Sequence, residues 1–126
     1  MSVQPLHILL VEDEPGRATE VRRHIERHNN GHKVIATVYG KGVNDALDGM
    51  DGGPHLILLD LVAPGDHVLL TAENLRYRPE SREVPIVVVG ESKRWLDRVE
   101  RLGLPQVEAI RRPIEPERFD SLLASV

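Results

Sequence analysis

The residues able to do chemistry fall in four short stretches, each closing an apolar run. Glu12-Asp13-Glu14 follows Leu6–Val11, and Asp60 lies near the end of Leu56–Leu61. Gly90-Glu91-Ser92 follows Pro85–Val89, and Arg111-Arg112-Pro113 closes Val107–Arg111. Carboxylates gathered at one point repel one another and call for a cation. Hard oxygen ligands favour a divalent ion such as Mg²⁺. An acidic site with a basic rim suits phosphoryl chemistry. Taken singly, each acid also fits a solvated loop charge or a helix N-cap. The reading therefore rests on whether the fold brings Glu12, Asp13 and Asp60 together.

Five apolar runs would position them: Leu6–Val11, Val34–Tyr39, Leu56–Leu61, Pro85–Val89 and the weaker Val107–Arg111. The first, third and fourth are continuous rather than alternating, which fits parallel strands buried on both faces. Helical stripes lie between them. Ala18, Val21 and Ile25 share a face after Pro15, and Val43, Ala46, Leu47 and Met50 form an i, i+3, i+4, i+7 row that Gly52-Gly53-Pro54 stops. Val68, Ala72 and Leu75 make the third stripe. Leu96, Val99 and Leu102 make the fourth, with Ser92 as N-cap and Gly103 as its end. Phe119, Leu122 and Leu123 make the last, after Pro113 and Pro116. Strict βα alternation predicts an α/β fold, a five-stranded parallel sheet with helices on both faces. Right-handed crossovers favour the order 2-1-3-4-5, which makes strands one and three neighbours and sets their acidic ends side by side.

The bulk numbers fit one such domain. The chain has 126 residues, 40% of them hydrophobic, enough for one core and too few for two ordinary domains. Its 16 basic and 20 acidic residues give a net charge of −4, which argues against binding nucleic acid or an anionic membrane through bulk charge. No apolar stretch is long enough to span a bilayer. The start has no basic segment ahead of its apolar run, unlike a secretory signal. With no cysteine, disulfides and thiolate metal sites are excluded. A cytoplasmic location is expected.

At these residues the chain resembles the receiver domain of two-component response regulators, over nearly its whole length. Ile8-Leu9-Leu10-Val11-Glu12-Asp13-Glu14-Pro15 is similar to that family's first strand and acidic pair. Leu56-Ile57-Leu58-Leu59-Asp60-Leu61-Val62-Ala63-Pro64 resembles its phosphoacceptor strand and the loop beyond, with proline four residues after the aspartate. Pro85–Val89 resembles its fourth strand, and Arg112-Pro113-Ile114 stands where the family has Lys-Pro-hydrophobic. The resemblance implies the doubly wound, flavodoxin-like fold and a covalent switch. Asp60 would take a phosphoryl group from a phosphohistidine on a partner histidine kinase or phosphotransfer protein, or from a small phosphodonor. Mg²⁺ would be held by Asp13, the Asp60 carboxylate and the backbone carbonyl of Val62, with Glu12 acting directly or through water. Arg112 would contact the phosphoryl group. Residues 1–126 would form one stand-alone receiver-like domain with no output domain, a signalling protein rather than an enzyme.

The chain departs from that pattern in places. Gly90 replaces the Thr or Ser whose hydroxyl bonds the phosphoryl group, and Ala109 replaces the switching aromatic residue. Arg112 replaces a lysine, keeping the charge with a larger, forked head. Asp66-His67-Val68 stands where Asp-Gly is usual. These departures favour the alternative of a pseudo-receiver, a protein-binding module that works without phosphorylation. Other enzymes on similar sheets fit less well. A haloacid-dehalogenase-type phosphatase wants a second aspartate at Val62, a flavodoxin wants a hydroxyl- and glycine-rich loop where Glu12-Asp13-Glu14 stands, and a cobalamin module's Asp-x-His-x-x-Gly is absent.

Smaller features carry less. Glu20, His24 and His28 recur every four residues, a spacing that could bind metal and reads more simply as a solvated helix face. His67 reads as a solvated loop residue beside the site. Trp95 lies among Lys93, Arg94, Arg98 and Arg101, and either caps the core or anchors a partner. In the second case Arg94, Trp95 and Arg98 would join a homodimer through helix four, strand five and helix five. There the basic helix of one copy would meet Glu115, Glu117 and Asp120 of the other.

Overall fold

The computed structural model describes residues 5–26 and 31–126. The elements alternate as β1 (His7–Val11), α1 (Pro15–Glu26), β2 (Lys33–Thr37), α2 (Lys41–Asp48), β3 (Leu56–Leu61), α3 (Asp66–Tyr77), β4 (Ile86–Gly90), α4 (Lys93–Arg101), β5 (Val107–Arg111) and α5 (Pro116–Ala124). All strand pairs are parallel, and the sheet runs β2-β1-β3-β4-β5. This is the expected order. None of the described helices is long and apolar enough to cross a membrane.

Strand periodicity explains the continuous apolar runs. Leu9, Val11, Ile57, Leu59, Leu61, Ile86 and Val88 face one layer, where Val43, Leu47, Val68, Ala72, Leu75, Leu96 and Val99 of α2, α3 and α4 meet them. Ile8, Leu10, Leu56, Leu58, Val87 and Val89 face the other, against Val21 and Ile25 of α1 and Phe119 of α5. Each buried large aliphatic side chain contributes about 1.5–3 kcal/mol relative to exposure. The same parity aims the polar strand ends. Asp60 continues the row of Leu56 and Leu58, which puts it on the side that α1 and α5 cover.

Two boundaries differ from the sequence pattern for physical reasons. The run read as Val34–Tyr39 leaves the sheet at Thr37, because the Tyr39 N–H donates to Asp13 Oδ1 at 3.1 Å instead of continuing the ladder. The α2 stripe reaches Met50, but the helix stops at Asp48, and Met50 is buried from the following turn. Ser92 caps α4 by accepting from the Trp95 N–H. Gly103, at a φ of 62°, follows its end, a conformation that favours glycine.

Gly90 is paired with Leu61. A Cβ there would lie 2.9 Å from the Leu61 carbonyl oxygen and 3.2 Å from its Cβ. The space that a side chain would need is already filled. Gly90→Thr should therefore lose about 1–3 kcal/mol by overpacking between β3 and β4. Urea unfolding at neutral pH checks this, and a midpoint equal to the parent's would show that the strands part without cost.

Candidate functional site

The first buried acid at the carboxyl edge of the sheet is Asp60, only 3% exposed. An isolated carboxylate is costly to bury, so its partners define the site. Arg17 Nη1 donates to Asp60 Oδ2 at 3.3 Å. Arg112 Nη2 donates to Oδ1 on the other side. One guanidinium comes from the first turn of α1 and the other from the residue just after β5, so strand parity and the two adjoining elements build the clamp together. The second Arg17 nitrogen, Nη2, stands 3.8 Å from Glu91 Oε1 in the loop after β4. Burial opposes the Arg17 charge, but Asp60, Glu12 and Glu91 outweigh it and raise the Arg17 pKa. Arg111 turns away, donating through Nε to the Glu91 backbone carbonyl at 3.1 Å.

Glu12 is buried too, 4% exposed, beside Asp60. Its Oε1 accepts from the Glu14 N–H at 2.9 Å, while Oε2 is buried without a donor. Its neighbour Asp60 is another acceptor, so the two carboxyls bond each other only when one carries a proton. Burial and that shared proton push the Glu12 pKa up to about 7. Asp13 is more open. Beyond the Tyr39 N–H, its Oδ2 lies 3.9 Å from His67 Nε2. Tyr39 closes the site from behind, donating its hydroxyl to the Asp60 backbone carbonyl at 2.6 Å, with its ring edge-on to His67 at 4.7 Å. Burial, then the charges of Asp60, Asp13 and Glu12, raise the Tyr39 pKa and keep it neutral.

A cleft of about 290 Å³ opens here, lined by Asp13, Tyr39, Asp60, Val62, Pro64 and His67. The residues fit a hard cation. Asp13, Asp60 and Val62 share the cleft, and the orphaned Glu12 Oε2 is an acceptor wanting positive charge. Among the described residues no group of three or more His, Asp or Glu side chains is gathered for a metal. Two carboxylates and a carbonyl fall below that number, and Mg²⁺ keeps several waters.

Structures solved for other proteins share this whole arrangement of strands and helices. The bacteriophytochrome response regulator RtBRR superposes with a TM-score of 0.78 at 26% identity, covering 96% of this chain and 77% of its own. The bacteriophytochrome response regulator AtBRR matches at 0.73 and 26%, over 97% and 92%. A CheY-like receiver domain from Methylobacillus flagellatus matches at 0.79 and 21%, over 97% and 98%, and speaks for the fold alone. The fold is that of a response-regulator receiver domain. In sequence, the chain is 26% identical to Protein PilH of Pseudomonas aeruginosa over 110 residues, 87% of this chain and 88% of that protein. No model of a protein family matches it. These likenesses support a response regulator, and receiver domains are signalling modules rather than enzymes in the ordinary sense.

Of the sequence-read residues, Glu12, Asp60 and Arg112 meet at this site, with Asp13 and Val62 at the mouth. Ala109 lies partly buried in β5 against the core, opposite Val88. Trp95 also packs on the core, its ring beside Gly65, with the Arg98 guanidinium 4.5 Å above it. Glu20 and His24 line a second cavity with Arg17, Arg112 and Phe119, and the His24 ring lies 4.5 Å from Phe119. His28 is outside the described residues. Arg17 and Tyr39 were missed. Arg17 had a signal: the first turn of α1 holds no acid and a cation, against the helix dipole. Such a placement needs an acidic partner elsewhere.

The raised Glu12 pKa has a stability consequence. Where the folded pKa exceeds the unfolded one, the native state holds the extra proton. The contribution is full below about 4.5, and is lost as pH rises through about 7. Glu12→Gln mimics the protonated form and should gain on the parent across that window, by about 3 kcal/mol at most by pH 8 without added metal. Parallel melts at pH 5 and pH 8 check this. A gap between the two proteins that does not widen at the higher pH would mean Glu12 ionises freely.

Proposed function

We propose that this receiver accepts a phosphoryl group on Asp60 in Mg²⁺-dependent transfer from a histidine kinase or phosphotransfer protein. The observation that carries the reading is the placement of Asp60. It is a buried carboxylate at a strand end, oriented through both oxygens by guanidinium groups and facing a cleft shared with Asp13 and Val62. Such a carboxylate is desolvated and aimed, which is what a nucleophile toward phosphorus requires. Asp13, Asp60 and the Val62 carbonyl would hold Mg²⁺, with Glu12 acting directly or through water, and the ion when bound would offset negative charge on the transferring phosphoryl oxygens. Arg112 passes from the carboxylate to the phosphoryl oxygens as charge moves outward. Tyr39 fixes the Asp60 backbone from behind.

A second reading is a pseudo-receiver that signals through protein contact alone. What favours it is the same clamp, since both Asp60 oxygens are already engaged, together with the filled space at Gly90. Intact mass after incubation with Mg²⁺ and a small phosphodonor separates the two. The parent should gain one phosphoryl mass. Asp60→Asn should gain none, and chelation should abolish the gain. Beryllofluoride with Mg²⁺ should also raise the parent's melting temperature. If the parent shows neither response at millimolar Mg²⁺, the pseudo-receiver reading stands.

We also propose a homodimer through the edge built from α4, β5 and α5. On that edge α4 exposes Lys93, Arg94 and Arg101, and α5 exposes Glu117 and Asp120. With Trp95 engaged on its own core and Arg98 stacked on it, the contact is chiefly polar, and Lys93 pairs within its helix with Asp97 at 3.0 Å. Sedimentation at tens of micromolar should show a dimer that Arg94→Glu weakens. A monomer at every concentration, phosphorylated or not, removes this partner.

A further inference from the structure

A phosphoryl group on Asp60 needs donors on more than one side. The position that carries a hydroxyl in receivers of the usual pattern is Gly90 here, and its side-chain space is filled by Leu61. The Arg17 guanidinium bridges the same region from the opposite layer. Nη1 reaches Asp60 Oδ2 at 3.3 Å, and Nη2 points to Glu91 Oε1 at 3.8 Å, one residue beyond Gly90. It therefore lies above the end of β4, between the acceptor and the loop that follows. Its side chain is 31% exposed, so it has room to move outward.

We propose that Arg17 is a phosphoryl-binding residue of this receiver, supplying from α1 the contact that β4 lacks. The proposal rests on Asp60 being the acceptor. In the transfer an Asp60 oxygen forms a bond to phosphorus as the bond from phosphorus to the donor's leaving group breaks, its electron pair departing with that group. The carboxylate, with one negative charge, becomes an acyl phosphate with nearly two, displaced outward. Arg17 and Arg112 then hold phosphoryl oxygens from two sides, as forked donors suit. The Arg17 link to Glu91 is long and exposed, so it yields readily. The start of α1 thus becomes the element that senses phosphorylation.

The test is beryllofluoride binding with saturating Mg²⁺, read from the fluorescence of Trp95. This is the only tryptophan and lies beside Gly65 in the loop after Asp60. Arg17→Ala should weaken binding at least tenfold, and Arg17→Lys should weaken it less. Arg22→Ala removes an equal charge from the exposed face of the same helix, and should stay within about twofold of the parent. Circular dichroism of each variant establishes that it is folded. Arg17→Ala binding as the parent does, or Arg22→Ala weakening it equally, overturns the role of Arg17 while leaving Asp60 as acceptor. A parent that binds no beryllofluoride overturns the acceptor reading and this one with it.

Discussion

Burying the Asp60 carboxylate at the end of β3 is the constraint from which the rest of the site follows. A lone ionised carboxylate there would cost several kcal/mol. Two guanidinium groups offset that cost, and they arrive from elements far apart in the chain. Arg17 ties the start of α1 to β3, and Arg112 ties the end of β5 to the same atom pair. Removing one partner of such a buried pair leaves an uncompensated charge. The clamp therefore holds the layer of α1 and α5 in place over the site as well as orienting the Asp60 carboxylate.

Glu12 makes the charge balance of the site conditional. Glu12, Asp13 and Asp60 together carry three negative charges when ionised, against two on Arg17 and Arg112. With the Glu12 carboxyl near half-protonation at neutral pH, these five side chains together lie close to neutrality. A divalent cation or a phosphoryl group each shifts that balance, in opposite directions.

The aromatic side chain at the site does not come from β5. With Ala109 on β5, the tyrosine at the site comes from the loop after β2. Tyr39 is fixed through its hydroxyl to the backbone of Asp60 and through its N–H to Asp13. It bridges two of the acids. The backbone geometry at Asp60 thus depends on β2 leaving the sheet at Thr37.

The sequence by itself determined the elements and their order. The buried strands announce themselves as continuous apolar runs, because both faces of a parallel sheet are covered, and the helical stripes repeat at the helix period. From that order, the meeting of Glu12 with Asp60 follows, since strands one and three must adjoin. Arg112 was legible for the same reason, at the end of the last strand. Tertiary structure alone decided what holds Asp60. Whether Arg17 or Arg111 reaches it depends on side-chain direction at a helix start and a strand end, which no linear period encodes. The fit at Gly90 was hidden as well, because it is set by the Leu61 carbonyl on the neighbouring strand. Trp95 had two equal readings in the sequence, and only the tertiary structure shows it partly buried on the core beside Gly65 and under Arg98. Local periodicity places backbones. The reach of long charged side chains, and the space left for small ones, exist only once the layers have closed.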